Sequence, residues 1–164
     1  MDYAYIARGD GSCPMCGQRA RERWHAVVDC EVVRRLWVKL GGVVERWGGA
    51  AVERREMALG RVGRDPGTAV RNRLGFTLRS AIQSMRGVVV GGVEETVDNI
   101  WSLFLRRLRK ELVEEWYVAS LVGGVAQFEA RVLVDGVLGE MRDGVVVWGA
   151  IFVGVGYGYW DLFY

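Results

Sequence analysis

The chain has 164 residues, of which 51% are apolar and 26% are charged, and its formal net charge is +2. This composition supplies a sizeable core and excludes a disordered segment, while the nearly balanced charge excludes a strongly basic nucleic-acid sleeve. The first residues lack the basic and long apolar stretches of a secretory signal. All three cysteines, an odd number, lie near the start, which fits a reducing compartment and predicts a nuclear or cytoplasmic protein.

A cluster of cysteine and histidine follows a short lead-in. The only histidine and all the cysteines have the spacing C-x2-C-x8-H-x4-C. The two residues between Cys13 and Cys16 let both thiolates face one metal, and Gly17 permits the turn that follows. Cys13, Cys16, His25 and Cys30 therefore predict a closed, structural zinc site. Two alternatives stay open: small buried residues with a hydrogen-bonded histidine, and a redox-active CxxC pair.

The first predicted helix begins at Glu31, with Asp29 as its N-cap, and Gly41-Gly42 divides it. Its apolar stripe consists of Val33, Trp37, Leu40, Val44 and Trp47. From Gly48 to Gly75 the sequence predicts a loop with one short helix and a turn at Asp65-Pro66-Gly67. A further helix is expected over residues 74–86, with an apolar stripe of Leu74, Leu78, Ile82 and Met85.

The clearest predicted helix extends from Glu94 to Leu121 and ends at Gly123-Gly124. One face of it carries Ile100, Trp101, Phe104, Leu105, Leu108, Leu112 and Trp116. A short helix with Phe128 follows. Residues Val132 to Trp148 then predict a strand meander, with hairpin turns at Asp135-Gly136 and Asp143-Gly144. The fold class is therefore α+β and mainly α-helical, with an N-terminal zinc knuckle, two or more amphipathic helices and a short C-terminal antiparallel hairpin or meander.

The expected organisation has four parts. Residues 1–48 form the zinc knuckle and its helix, and residues 49–93 form a charged linker with short helices. Residues 94–148 hold the long helix and the hairpin, and residues 149–164 form an apolar tail rich in glycine and aromatics. The tail is interpreted as a final strand or a sticky terminus, with a membrane anchor as the weaker alternative because the span is short.

The run Cys13-Pro14-Met15-Cys16-Gly17, His25, Cys30 and then the helix with Trp37 resembles a known region. It is similar to the zinc-binding region near the C-terminus of reverse transcriptases from LINE-type (non-LTR) retrotransposons. The specific part of the resemblance covers about residues 11–40. The paired-aspartate motif of the polymerase does not occur. The resemblance thus implies a fragment of such a polyprotein, without enzymatic activity of its own.

The resemblance implies that this region binds RNA or single-stranded DNA, and it names the reverse transcriptase body as another partner. No small-molecule substrate or catalytic residue is expected, because the only histidine is already a metal ligand. Arginine would contact phosphate while an indole stacks on an unpaired base, although Trp24 can equally pack beneath the knuckle. The residues expected to bind nucleic acid are Arg19, Arg21, Arg23, Trp24, Arg34 and Arg35.

A second phosphate-binding surface is conceivable on the long helix. It would consist of Arg106, Arg107, Arg109 and Lys110. A solvated ion-pair face is the alternative there, because glutamates follow within one turn. Two other hypotheses for the function stay open. One is a structural or protein-interaction domain whose zinc only stabilises the fold, and the other is a decayed reading frame without function.

Overall fold

The computed structural model describes residues 12–13, 15–18, 25–45, 66–85, 91–132, 138–143 and 145–152. In chain order these form a π-helical turn (His25–Asp29), α1 (Glu31–Glu45), α2 (Pro66–Ser84), α3 (Val93–Leu121), α4 (Val125–Val132), β1 (Gly139–Arg142), β2 (Val145–Trp148) and a 3-10 turn (Ala150–Phe152). Helices thus dominate the described residues beside one two-stranded antiparallel sheet. The predicted fold class is confirmed.

Helix α3 is the element on which the other helices pack, as its long apolar stripe predicts. Ile100, Phe104, Leu108 and Leu112 on this stripe are fully buried, and Trp116 is half-buried. Glu94 and Glu95 lie in the first turn, where carboxylates favour the helix dipole. At the other end Gly123 adopts a φ of +72°, and the Gly124 N–H donates to the Ala119 carbonyl at 2.7 Å, which closes the helix as predicted.

Polar contacts show how α1 and α2 lie against α3. Arg35 and Lys39 of α1 pair with Glu94 and Asp98 of α3, so the two helices run in the same direction. On the other side, Arg73 of α2 pairs with Glu115, and Thr77 donates to Glu111 at 3.2 Å. Because the residue numbers of the partners decrease along α3 as they increase along α2, the two helices are antiparallel. Buried residues of all four helices join one hydrophobic core.

Two predictions about where helices break or begin are wrong. Helix α1 continues through Gly41 and Gly42, because Leu40, Val43 and Val44 on either side are buried in the core and hold the helix together. Helix α2 begins at Pro66, eight residues earlier than predicted, so residues 66–75 are not a loop. Proline is well suited to the first turn of a helix, where its missing N–H needs no partner.

The C-terminal part follows the prediction in outline. Phe128 is buried on α4, but Val132 is the last residue of that helix and not the start of a strand, and the first described strand begins at Gly139. Strands β1 and β2 pair from Gly139↔Trp148 to Arg142↔Val145, as a hairpin around positions 143–144 requires. Asp143 has a φ of +51°, the left-handed backbone of a tight hairpin turn.

Several predicted features lie outside the described residues. They are Trp47, the Asp135-Gly136 turn, Gly144, residues 49–65 of the linker and residues 153–164 of the tail. Within the described part, none of the helices combines the length and apolarity needed to cross a bilayer.

The packing generates a prediction on α1, where a buried and an exposed residue lie two positions apart. Leu36 is fully buried and Val38 is 61% exposed. Leu36→Ala should lower the free energy of unfolding by about 2–5 kcal/mol, because it leaves a cavity in the core. Val38→Ala should change it by about 0.5 kcal/mol at most. Urea unfolding followed by circular dichroism measures both values, and equal effects would contradict this packing of α1.

Candidate metal centre

The first two candidate ligands lie on a tight backbone turn. The Gly17 N–H donates to the Cys13 carbonyl at 2.8 Å, and the Cys13 N–H donates to the Gln18 carbonyl at 2.7 Å. Gly17 adopts a φ of +71°, which side chains other than glycine rarely tolerate. These bonds fold the chain back on itself so that Cys13 and Cys16 lie on the same side, as the CxxC-Gly spacing predicts.

The other two ligands lie at the ends of the π-helical turn. The Cys30 N–H donates to the His25 carbonyl at 2.6 Å, across five residues instead of the usual four. The Cys30 carbonyl in turn accepts from the Arg34 N–H at 2.7 Å, so Cys30 lies at the start of α1, as predicted. Single π-helical turns recur at functional sites, and this one brings an imidazole and a thiol of neighbouring turns together.

The four candidate side chains converge on one point. Their ligand atoms all lie within 4.8 Å of one another. Cys13 Sγ is 3.8 Å from Cys30 Sγ, and Cys16 Sγ is 3.3 Å from His25 Nε2. In a zinc tetrahedron with Zn–S bonds of about 2.3 Å, two sulfurs lie about 3.8 Å apart, and a sulfur and an imidazole nitrogen about 3.5 Å apart. The cluster can therefore hold a metal ion.

The convergence of the donor atoms also bears on the two alternatives for the cluster. All three cysteines are free, so Cys13 and Cys16 form no disulfide, and their side chains share one centre with Cys30 and His25 instead of forming an isolated CxxC pair. Residues buried only for packing would have no reason to direct all four donor atoms towards one centre. Cys13 and Cys30 are fully buried, and Cys16 and His25 are half-buried, so one side of the cluster faces the core and the other faces outward.

The electrostatics of the cluster also favour a cation. The hydrogen bond between the thiol groups of Cys13 and Cys30 lowers the pKa of Cys13 to about 4, while that bond and burial raise the pKa of Cys30. Burial likewise raises the pKa of Cys16. Cys13 alone is therefore a thiolate at neutral pH without a metal ion, and a divalent ion would supply the positive charge that three adjacent thiolates require.

Two apolar residues that the spacing did not identify attach the cluster to the core. Met15, between the two cysteines of the turn, is 5% exposed, and Val28 in the π-helical turn is 2% exposed. Both belong to the same hydrophobic core as the helices. A single apolar residue at each position gave no signal in the sequence, because its burial depends on where the knuckle packs.

The predicted nucleic-acid-binding residues divide into two groups. Arg19, Arg21, Arg23 and Trp24 lie outside the described residues. Arg34 and Arg35 are exposed at the start of α1, but both pair with Glu31, at 3.3 and 2.8 Å, and Arg35 also pairs with Glu94. The hydrogen bond from Arg35 and its charge lower the pKa of Glu31. The charge of these two arginines is therefore largely offset by carboxylates.

Removing one ligand should abolish metal binding. We expect wild-type protein to bind about one metal ion per chain. Cys30→Ser should weaken metal binding by more than about 100-fold, which exceeds the effect of substituting a residue that only contacts a ligand. Cobalt titration followed through its thiolate absorption measures this. Gln18→Ala is the matched control, because it keeps the backbone carbonyl that accepts from Cys13. Equal metal binding by the Cys30→Ser variant would contradict the assigned ligand set.

The turn itself provides a second test. A Cβ at Gly17 meets no atom within 4 Å, so the cost of a substitution comes from the positive φ alone. Gly17→Ala should weaken metal binding by about 5- to 30-fold, the equivalent of about 1–2 kcal/mol of backbone strain. Gly17→Asn should weaken it less, because asparagine tolerates this backbone conformation. Chelator competition ranks the variants, and an unchanged affinity for Gly17→Ala would contradict the turn geometry.

No protein-family model, curated protein or solved structure matches this chain. The resemblance to the zinc-binding region of retrotransposon reverse transcriptases therefore depends on the ligand spacing and the helix that follows it, and it stays a prediction.

Proposed function

We propose that this chain is a non-catalytic zinc-binding module that binds RNA or single-stranded DNA, derived from the C-terminal region of a LINE-type reverse transcriptase. The convergence of Cys13, Cys16, His25 and Cys30 carries the proposal. Three sulfurs and one imidazole are a ligand set typical of structural zinc, and they leave no coordination position for a substrate. The role of the metal is accordingly to hold the fold.

The burial of the ligands supports this role for the metal. The knuckle from Ser12 to Gln18 is too short to bury a core of its own, and the metal would link it to the first turn of α1. Such sites contribute folding free energy directly, because the unfolded chain has no preformed site. The basic residues that follow the knuckle in the sequence would then be presented on a fixed framework.

Nucleic-acid binding is supported by the sequence around the ligands. Arg19, Arg21 and Arg23 alternate between the second and third ligand, and Trp24 directly precedes His25. Guanidinium groups pair with phosphate, and an indole stacks on an unpaired base without requiring a particular sequence. Arg34 and Arg35 are exposed nearby, although their carboxylate partners reduce their share of the attraction.

A protein-interaction module is the second candidate, and one observation favours it. The end of α3 exposes four apolar side chains: Tyr117 (44%), Val118 (57%), Leu121 (68%) and Val122 (75%). Contiguous exposed apolar residues often mark protein interfaces. In this case the chain would associate with itself or with the polymerase body, and sedimentation velocity would show concentration-dependent assembly that Leu121→Lys abolishes.

The proposed function predicts salt-dependent binding that requires the metal. Zinc-loaded protein should bind fluorescein-labelled oligouridine and oligothymidine with a Kd of about 1–100 μM, weakening about tenfold between 50 and 200 mM salt. Chelation of the metal should weaken binding further, because the knuckle loses its fixed shape. Fluorescence anisotropy measures both effects, with the metal-binding Gln18→Ala variant as the control. Absence of salt-dependent binding to any nucleic acid would refute the function.

A further inference from the structure

The contact between α2 and α3 contains an arginine that is held by hydroxyl groups and pairs with no carboxylate among the described residues. Arg107 on α3 donates from Nη1 to Ser80 Oγ at 2.9 Å and from Nη2 to Ser84 Oγ at 2.8 Å, both on α2. Hydroxyl groups are neutral, so they orient the guanidinium without cancelling its charge. Glu111, one turn further along α3, accepts from Thr77 instead.

This arrangement differs from that of most other described basic residues. Arg34, Arg35, Lys39, Arg73, Lys110 and Arg142 each pair with a carboxylate. Among the described residues, no carboxylate forms an ion pair with Arg107, with Arg71 on α2 or with the exposed Arg106. Of these three arginines, Arg107 is held at a fixed position in the contact between α2 and α3 by two hydroxyl groups.

An exposed aromatic ring lies beside this charge. Phe76 is one helical turn before Ser80 on the same face of α2 and is 63% exposed. The guanidinium of Arg79 lies 5.4 Å from the centre of its ring. A phenylalanine exposed to this extent contributes little to the core, and its exposed ring can stack on a base. Phe76, Arg79, Ser80, Ser84 and Arg107 together are called the seam surface.

We propose that the seam surface binds single-stranded nucleic acid, with Arg107 contacting phosphate and Phe76 stacking on an unpaired base. This inference rests on the proposed function and adds a second contact surface to the one around the zinc knuckle. The fixed positive charge of a guanidinium group attracts the negative phosphates of the nucleic acid, and a flat aromatic ring can stack on any base. An acidic polypeptide would use the charge but not the ring, so the ring favours nucleic acid.

The two contributions can be separated by substitution. Phe76→Leu keeps an apolar side chain but removes the ring, and it should weaken binding by about tenfold, the equivalent of one lost stacking contact. Phe76→Trp should retain the affinity. Arg107→Gln keeps a donor for the serine hydroxyls and removes the charge, so the slope of log K against log salt should become less steep by about 0.7.

The deciding experiment compares these variants of the full, zinc-loaded chain in one anisotropy titration with labelled oligothymidine. Arg142→Gln is the matched control for charge, because Arg142 is an exposed arginine on β1 that pairs with Glu140. Thermal unfolding of each variant checks that the fold is intact. Weaker binding by Phe76→Leu and a shallower slope for Arg107→Gln, with Arg142→Gln and Phe76→Trp close to wild type, would support the proposal.

Other outcomes overturn it in distinguishable ways. If wild-type protein binds but both seam variants bind equally well, the seam surface is not a contact and the proposed function stands on the knuckle alone. If wild-type protein does not bind nucleic acid, both proposals fail together. If Arg107→Gln weakens binding of both oligothymidine and polyglutamate while Phe76→Leu affects neither, the surface binds anions in general and stacking is refuted.

Discussion

The crowding of three sulfur atoms and one imidazole nitrogen at the start of α1 is the constraint on which the N-terminal part of the molecule depends. Their ligand atoms lie within 4.8 Å of one another, and Cys13 and Cys30 are fully buried. Thiolates at this spacing repel one another unless positive charge lies between them, and a divalent cation removes the repulsion while fixing the geometry. With such an ion bound, the knuckle, the π-helical turn and the first turn of α1 would form one rigid unit, which Met15 and Val28 attach to the core.

The helical core supports this unit from the other side. Helix α3 packs in parallel against α1 and antiparallel against α2, and its stripe from Ile100 to Leu112 supplies the centre of the core. The polar groups at the two contacts differ in kind. Between α1 and α3 the arginine and lysine side chains pair with carboxylates, whereas at one end of the α2–α3 contact Arg107 donates to the hydroxyl groups of Ser80 and Ser84. Two proposed contact surfaces for nucleic acid follow: the knuckle, with its arginines close in sequence, and the seam surface, assembled from two helices.

The sequence predicted the features that depend on local spacing. The candidate ligand set followed from the only histidine and the cysteines, and α3 followed from an uninterrupted apolar stripe that ends before Gly123-Gly124. Glycine and proline led to two wrong predictions. Helix α1 continues through Gly41-Gly42 because packing outweighs the low helix propensity of glycine, and Pro66 begins a helix, a position that suits proline, instead of forming a turn. The orientation of Arg107 by Ser80 and Ser84 could not be predicted, because it depends on the register between two packed helices.

The most direct test of the metal centre is X-ray absorption at the zinc edge on the full chain, purified without added metal or a metal-binding tag. We expect about one zinc per chain, with three sulfur ligands at about 2.3 Å and one nitrogen ligand at about 2.0 Å. Protein that folds to the same helical content without zinc, or zinc bound mainly by oxygen, would contradict the assignment of the site. In that case the four converging side chains would need another explanation, and the proposed function would lose its principal support.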